Sequence, residues 1–232
     1  MERRDFIKAC AATCALGAPD VVRAEDLKPR FYSRVQLVDE GGRPLRAADL
    51  AVRRNYIFHY PFEATPCFLL NLGEPTVRDV ALKTEHGSAY RWAGGVGPKR
   101  SIVGFSAICS HRMSYPTPQI TFISYRDKAT AASRANLIHC CSEHSQYDPS
   151  SGARVVGGPA PQPLSAVLLE YDAKSDGLQA VGTLGGEMFD AFFDKFGFKL
   201  ALEQGGSSAR RPVAGRAVVK DIQNFCKQQV RC

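Results

Sequence analysis

Short runs of β-branched and aromatic residues, separated by turn signals, recur along most of the chain. Examples are Phe31–Val38, Cys67–Leu72, Ser101–Ile108 and Leu178–Thr183. Runs of this length and composition are typical of β-strands. They do not alternate with long helices, which argues against a parallel βαβ arrangement. The sequence therefore predicts an all-β fold.

The chain changes character after residue 184. Between Glu187 and Leu200, phenylalanines recur at helical spacing, which predicts a short amphipathic helix that packs on its own sheet. Gln204–Arg211 is rich in Gly, Ser and Arg and is predicted to be a linker. The tail Ala214–Cys232 is basic. Residues 185–232 are thus expected to form a helical and basic C-terminal extension.

Charge and cysteine content set wide limits on function. The 232 residues include 30 Lys and Arg against 23 Asp and Glu, a net charge of +7. This modest excess favours an acidic protein partner over nucleic acid. Eight cysteines are too few for a disulfide scaffold in a chain of this size, so some of them call for another explanation.

The first 24 residues have the form of an export signal. Arg3-Arg4 is followed by Phe6-Ile7-Lys8, a short Ala-rich run and the small-residue site Val22-Arg23-Ala24, which resembles a twin-arginine signal. This route carries proteins that fold before they cross the membrane, often around a cofactor. The segment predicts a periplasmic protein; the signal is cleaved, or it is retained as a weak anchor for peripheral membrane association.

Two short boxes carry the candidate metal ligands. Box 1 is Cys109-Ser110-His111 and box 2 is Cys141-Ser142-Glu143-His144. Each offers one thiolate and one imidazole. One tetrahedral zinc ion could use all four ligands, and so could a [2Fe–2S] cluster with two thiolates on one iron and two imidazoles on the other.

The surroundings of the boxes distinguish these alternatives. Ser145 and Tyr147 follow box 2, and the stretch Gly158-Pro159-Ala160-Pro161 follows them. In the order of these elements, over roughly residues 101–184, the chain resembles the Rieske iron–sulfur family. The resemblance implies one domain over residues 25–184, an antiparallel β-sandwich whose small cluster-binding subdomain lies at about 101–164.

The resemblance also implies a role for each matching residue. Cys109 and Cys141 would hold one iron of a Rieske-type [2Fe–2S] cluster, and His111 and His144 would hold the other. Ser145 and Tyr147 would hydrogen-bond the cluster sulfurs. The loop containing Gly158, Pro159 and Pro161 would cover the cluster.

Two departures from the family pattern concern the boxes. Cytochrome bc-type members join their two boxes by a disulfide, and the matching positions here are Ser114 and Glu143. In addition, Ser145 and Tyr147 match the family only if one residue is deleted after His144. The missing bridge argues against a close relation to the bc-type subunit, and the deletion concerns the residues that would adjust the potential.

The roles expected for the remaining cysteines are less specific. Cys140 gives the spacing C-x-x-x-H with His144, so Cys141 is favoured as the ligand and Cys140 as a buried spare thiol. Cys67 lies in an apolar run and is expected in the core. Cys226 and Cys232 could pair with each other, with Cys67 or with a partner.

The histidine positions narrow the function. An oxygenase subunit needs a second iron site with two histidines downstream of the cluster, and no histidine follows His144. We therefore expect a periplasmic electron-transfer protein, or an electron-transfer subunit, that passes single electrons to a cytochrome c or another redox protein. The alternatives are a quinol-oxidising subunit of a cytochrome bc-like complex and an exported zinc-stabilised binding module.

Overall fold

A computed structural model describes residues 26–203 and 207–232. The predicted export signal, with Cys10 and Cys14, lies outside the described residues, as does part of the predicted linker. The described chain consists mainly of short strands, and the prediction of an all-β fold is confirmed.

The elements follow one another in this order: β1 (Arg30–Val38), β2 (Tyr56–His59), β3 (Pro66–Asn71), β4 (Val80–Lys83), β5 (Ala89–Trp92), β6 (Ile102–Ser106), β7 (Ile120–Thr121), β8 (Ile123–Arg126), β9 (Leu137–Cys140), β10 (Ser145–Asp148), β11 (Arg154–Gly157), β12 (Ala166–Asp172), β13 (Gly177–Leu184), α1 (Phe189–Glu203), β14 (Gly215–Val218), β15 (Lys220–Asp221), α2 (Ile222–Phe225) and β16 (Gln228–Gln229).

The largest sheet has eight strands in the order β14-β1-β13-β12-β6-β3-β2-β15. Its pairs are antiparallel except for β1 with β14. Two strands of the predicted C-terminal extension, β14 and β15, are the edge strands of this sheet. The extension therefore contributes to the main body of the fold as well as carrying α1.

Both faces of the large sheet are covered. In β3, Phe68 and Leu70 join one apolar cluster, whereas Cys67 and Leu69 join another. This alternation follows from the two-residue period of a strand. It explains why the run has no polar residue between Cys67 and Leu70, and it confirms the prediction that Cys67 lies in the core.

A smaller sheet, in the order β11-β10-β9-β8, packs against one face of the large sheet. Ile123 of β8, Ile138 of β9 and Tyr147 of β10 share an apolar cluster with Phe68 and Phe105 of the large sheet. Box 1 follows a strand of the large sheet, and box 2 lies in the small sheet. The packing of the two sheets thus brings the boxes together.

Helix α1 confirms the helix predicted between residues 187 and 200. Its buried residues Phe189, Phe192 and Phe193 pack with Ile108 and Tyr115 on either side of box 1. The helix therefore packs on its own protein, as expected. No helix within residues 26–203 and 207–232 has the length and apolar character needed to cross a bilayer.

Candidate metal centre

Box 1 forms a tight turn directly after β6. The Cys109 amide donates to the carbonyl oxygen of Ser114 over 2.9 Å, and the Met113 amide donates to the carbonyl oxygen of Cys109 over 2.8 Å. Met113 has a positive φ of 61°, which closes the turn. Cys109 and Ser110 are buried by this arrangement, whereas His111 is half-buried.

Box 2 lies in the hairpin between β9 and β10. Cys140 ends β9 and is paired with Ser145, the first residue of β10, so residues 141–144 form the connecting turn. His144 is exposed and has a positive φ of 60°, an uncommon conformation for a residue other than glycine. The imidazole of box 2 thus belongs to the turn, whereas Cys140 belongs to the rigid strand.

The structure brings Cys109 together with Cys140. The two buried thiols lie close enough for each to shift the pKa of the other, and both are free cysteines. The Cys140 contact is the main factor that lowers the pKa of Cys109 to about 6. The same contact, together with burial, raises the pKa of Cys140. The pair therefore carries one negative charge on two sulfur atoms, and a bound metal would keep both of them deprotonated.

Cys141, which the sequence favoured as the box 2 ligand, has another partner. It forms a disulfide with Cys232, and their Cα atoms are 5.7 Å apart. Because successive residues of a strand point to opposite faces, Cys140 and Cys141 are directed to different surroundings. Neither a Cys226–Cys232 bond nor a Cys67 bond occurs among the described residues, where Cys67 and Cys226 are free.

Tyr147 connects the side chains of box 1. Its hydroxyl lies 3.2 Å from Sγ of Cys109 and 3.1 Å from Oγ of Ser110, and it accepts a 3.2 Å hydrogen bond from the Ser110 amide. The Ser110 hydroxyl donates to the carbonyl oxygen of Gln162 over 2.6 Å. The Tyr147 proton is thus left for Cys109 or Ser110. A deprotonated Cys109 would be the stronger acceptor.

Two buried polar atoms beside this pair have no hydrogen-bond partner: Nδ1 of His111 and Oγ of Ser145. A buried polar atom without a partner costs about 1–3 kcal/mol, so such atoms call for an explanation. An imidazole nitrogen can ligate iron, and a hydroxyl can donate to a cluster sulfur. With two adjacent buried thiols, this donor set fits a [2Fe–2S] cluster.

The proline-containing loop lies against both boxes. Gly158 has φ of +78°, and a Cβ at this position would overlap the carbonyl oxygen of His144 and Cα of Ser145. Pro159 and Pro161 are exposed. The loop therefore packs its backbone on box 2 while its proline rings face solvent. Gln162 joins it to box 1 through Ser110.

The two boxes are joined at the surface by an ion pair. The guanidinium of Arg112 lies 2.8 Å from the carboxylate of Glu143. Glu143 is one of the two positions where the bc-type resemblance would place a bridging cysteine. Both side chains are well exposed, so this pair contributes at most about 1 kcal/mol to stability.

The ligand atoms predicted from the sequence do not form a compact single-ion site. Among the described residues, the cluster with atoms within 4.8 Å of one another consists of His139, Cys141 and Cys232. It is a possible metal-binding group once its disulfide is reduced. His139 is buried, and burial followed by the nearby charge of His144 lowers its pKa.

Part of this arrangement has a signal in the sequence. Ser145-x-Tyr147 requires a deletion when it is counted from Cys141, but none when it is counted from Cys140. Counted in this way, the family's histidine position falls on Glu143, and His144 is one residue further along. No comparable signal pairs Cys141 with Cys232, because 91 residues separate them.

No protein-family model matches the chain. The chain is similar to the crystal structure of the soluble domain of the Rieske protein II (soxF) from Sulfolobus acidocaldarius. The match covers 66% of this chain and 78% of that chain, with 26% sequence identity and a TM-score of 0.44. Because this similarity is low, the functional assignment rests on the side chains of the metal centre and not on the match.

Proposed function

We propose that the protein is a Rieske-type [2Fe–2S] electron-transfer protein. The observation that carries this proposal is the pair of adjacent, buried thiols of Cys109 and Cys140, one in the turn after β6 and the other at the end of β9. The partnerless Nδ1 of His111 and the Tyr147 hydroxyl on Cys109 support it.

In this proposal, Cys109 and Cys140 supply the two thiolates and His111 supplies one imidazole. His144 supplies the other, and its place at the end of an exposed turn puts this ligand at the surface. The choice of Cys140 replaces Cys141 in the ligand set favoured by spacing alone. When bound, such a cluster accepts and releases one electron at a time.

The surrounding residues would hold the ligands and adjust the potential. Tyr147 donates toward the Cys109 sulfur, and the Ser145 hydroxyl is available to a cluster sulfur. Donors of this kind stabilise the added negative charge of the reduced state and so raise the potential. Burial of Cys109 and Cys140 keeps water from the thiolate end.

The exposed end defines where a redox partner would bind. His144, Pro159 and Pro161 are exposed around one side of the centre. A partner docked there would approach the imidazole end of the cluster directly. Electron transfer at this surface would need no substrate pocket. We infer electron transfer to another redox protein, with no substrate turnover by this chain alone.

Export to the periplasm is part of the proposal and rests on the twin-arginine segment at residues 1–24. In that compartment, c-type cytochromes are suitable one-electron acceptors. A compartment that permits disulfides is also compatible with the Cys141–Cys232 bond.

Electron transfer is tested by mixing the reduced protein with an oxidised c-type cytochrome under anaerobic conditions. Stopped-flow absorbance should show haem reduction coupled to reoxidation of the iron–sulfur bands, with one electron per protein. Apoprotein is the control. A loaded protein that reduces no cytochrome but reacts rapidly with quinol, in a cytochrome b complex, would favour the quinol-oxidising alternative.

A further inference from the structure

The last residues of the chain, Cys226–Cys232, which we call the C-terminal strap, run beside β7. β16 pairs with β7 in parallel, and three strap amides donate to the carbonyl oxygens of Pro118, Gln119 and Thr121 over 2.9–3.1 Å. The strap is therefore a hydrogen-bonded part of the fold up to its final residues.

The end of the strap is attached to box 2 by several contacts. Cys232 is disulfide-bonded to Cys141, the residue after Cys140. The guanidinium of Arg126 donates to the carbonyl oxygen of Val230 and lies 3.4 Å from Sγ of Cys141. The ring nitrogens of His139 lie 3.6 and 3.7 Å from Sγ of Cys232. The strap thus meets the chain on both sides of Cys140.

Contacts from outside the hairpin hold the turn formed by residues 141–144. It carries His144, which is exposed and has a positive φ. The Arg112–Glu143 ion pair across the two boxes is also exposed, and such pairs hold a loop weakly. The disulfide is a covalent attachment at the opposite end of the same turn, and it joins the turn to a segment that is itself hydrogen-bonded to β7.

We propose that the C-terminal strap is a positioning element of the metal centre. Through the Cys141–Cys232 bond, it fixes the turn at residues 141–144 and with it the orientation of Cys140 and His144. This inference rests on the proposed function, because it concerns the ligands of the proposed cluster. A covalent bond thereby joins box 2 to the C-terminal strap.

The test uses the iron-loaded full-length protein and two substitutions in the strap. Cys232→Ser removes the disulfide and leaves the strap sequence otherwise intact. Cys226→Ser is the matched control: this buried thiol lies in the same strap but bonds to the carbonyl oxygen of Gln228, not to box 2. The readouts are the rate of cluster loss to a chelator, the EPR g-values of the reduced protein and the midpoint potential.

We expect Cys232→Ser to lose its cluster roughly 10-fold faster or more, the size of effect seen when groups that orient metal ligands are removed. Its g-values and midpoint potential should also move. Cys226→Ser should match the wild type. A phosphine reductant reduces the disulfide to two thiols with two electrons and two protons, and the phosphine becomes its oxide by taking oxygen from water. This treatment should make the wild type behave like Cys232→Ser. It should have no further effect on Cys232→Ser.

The proposal is overturned if the rate of cluster loss, the g-values and the potential of Cys232→Ser all equal those of the wild type. This holds even if the melting temperature of the variant is lower. If Cys232→Ser fails to assemble, hydrogen exchange at residues 141–144 of the wild type, before and after the phosphine, provides the test. Faster exchange there supports the proposal, and unchanged exchange overturns it. A wild type without a cluster contradicts the proposed function itself, and its spectrum shows this before any variant is compared.

Discussion

Cys109 and Cys140 lie next to each other in one buried cluster, although one lies in a turn after β6 and the other ends β9. Both are buried at the junction between the large and the small sheet. Cys141, next along the chain, is bonded to Cys232. This relationship defines which two thiols are available to a metal centre, and it gives a direct test of the ligand set.

Cys140→Ser should abolish cluster assembly, because it removes one of the two adjacent thiolates. Cys141→Ser should yield protein that contains the cluster when isolated, with the faster cluster loss expected from release of the strap. Iron and sulfide content of the purified variants measures the difference. A loaded Cys140→Ser protein together with an iron-free Cys141→Ser protein would reverse the assignment.

Tyr147→Phe should lower the midpoint potential while the cluster is retained. The substitution removes the hydroxyl 3.2 Å from Sγ of Cys109 and keeps the ring that packs in the core. A hydrogen bond that strengthens by about 1 kcal/mol on reduction corresponds to roughly 40 mV for a one-electron couple. A redox titration followed by EPR measures the change.

The control for that experiment is Tyr125→Phe on the neighbouring strand β8. The Tyr125 ring is buried in the same cluster, but its hydroxyl bonds to Asn136 over 3.0 Å and touches no candidate ligand. Its removal should leave the potential at the wild-type value. Equal shifts in the two variants would indicate a general packing effect and contradict the role given to Tyr147.

Gly158→Ala should destabilise the protein and impair cluster assembly. The new Cβ would overlap the backbone of His144 and Ser145, and φ of +78° is strained for alanine. A strain of about 1–3 kcal/mol lowers the melting temperature by roughly 2–4 °C per kcal/mol in a chain of this size. Thermal unfolding and iron content are the measurements.

Gly157→Ala provides the comparison, since its Cβ would meet the Gln146 side chain at an ordinary 3.5 Å, and its φ is not in the left-handed region. We expect it to remain close to the wild type. The account of the proline-containing loop is wrong if Gly158→Ala is tolerated as well as Gly157→Ala.

His59 should make stability depend on pH. Burial, and then the charge of Lys220, lowers the pKa of His59 to about 4. In the unfolded chain its pKa is about 6.5. The unfolded state therefore binds more protons between these values, and the free energy of unfolding falls as the pH drops from about 6.5 to about 4. The free energy of unfolding would change by at most about 3 kcal/mol over this range. The actual change is smaller, because the His59 ring retains some contact with water.

His59→Phe should flatten this part of the stability curve, because phenylalanine does not titrate and can pack on Phe225, whose ring centroid lies 5.8 Å from that of His59. His86→Phe, at an exposed position, is the control and should leave the contribution of His59 to the slope in place. Denaturant unfolding at several pH values between 4 and 7 measures the curves. Parallel curves for the wild type and His59→Phe would contradict the prediction.

The sequence was sufficient for the features that depend on local pattern. Phe189, Phe192 and Phe193 mark one face of α1, and the Cys67–Leu70 run marks a strand buried on both faces. Features that depend on which strands pair could not be read in this way. Residues 215–221 carry no sign that they form the two edges of the large sheet.

The sequence alone also could not show which of two adjacent cysteines is the box 2 ligand. Adjacent Cys140 and Cys141 both lie near His144 in the sequence, and spacing favoured Cys141. The choice depends on which face of β9 points toward Cys109, and that is determined by the pairing of Cys140 with Ser145. The Cys141–Cys232 bond, which removes the competing thiol, joins residues 91 positions apart, and the pairing of the tail with β7 places these residues side by side.

EPR combined with metal analysis decides whether Cys109, His111, Cys140 and His144 hold a [2Fe–2S] cluster. Full-length protein is purified anaerobically, reduced with dithionite and examined by low-temperature EPR, with iron, sulfide and zinc determined on the same sample. We expect two iron and two sulfide ions per chain and a rhombic signal whose average g lies below the free-electron value. A colourless, EPR-silent protein that contains one zinc ion would contradict it.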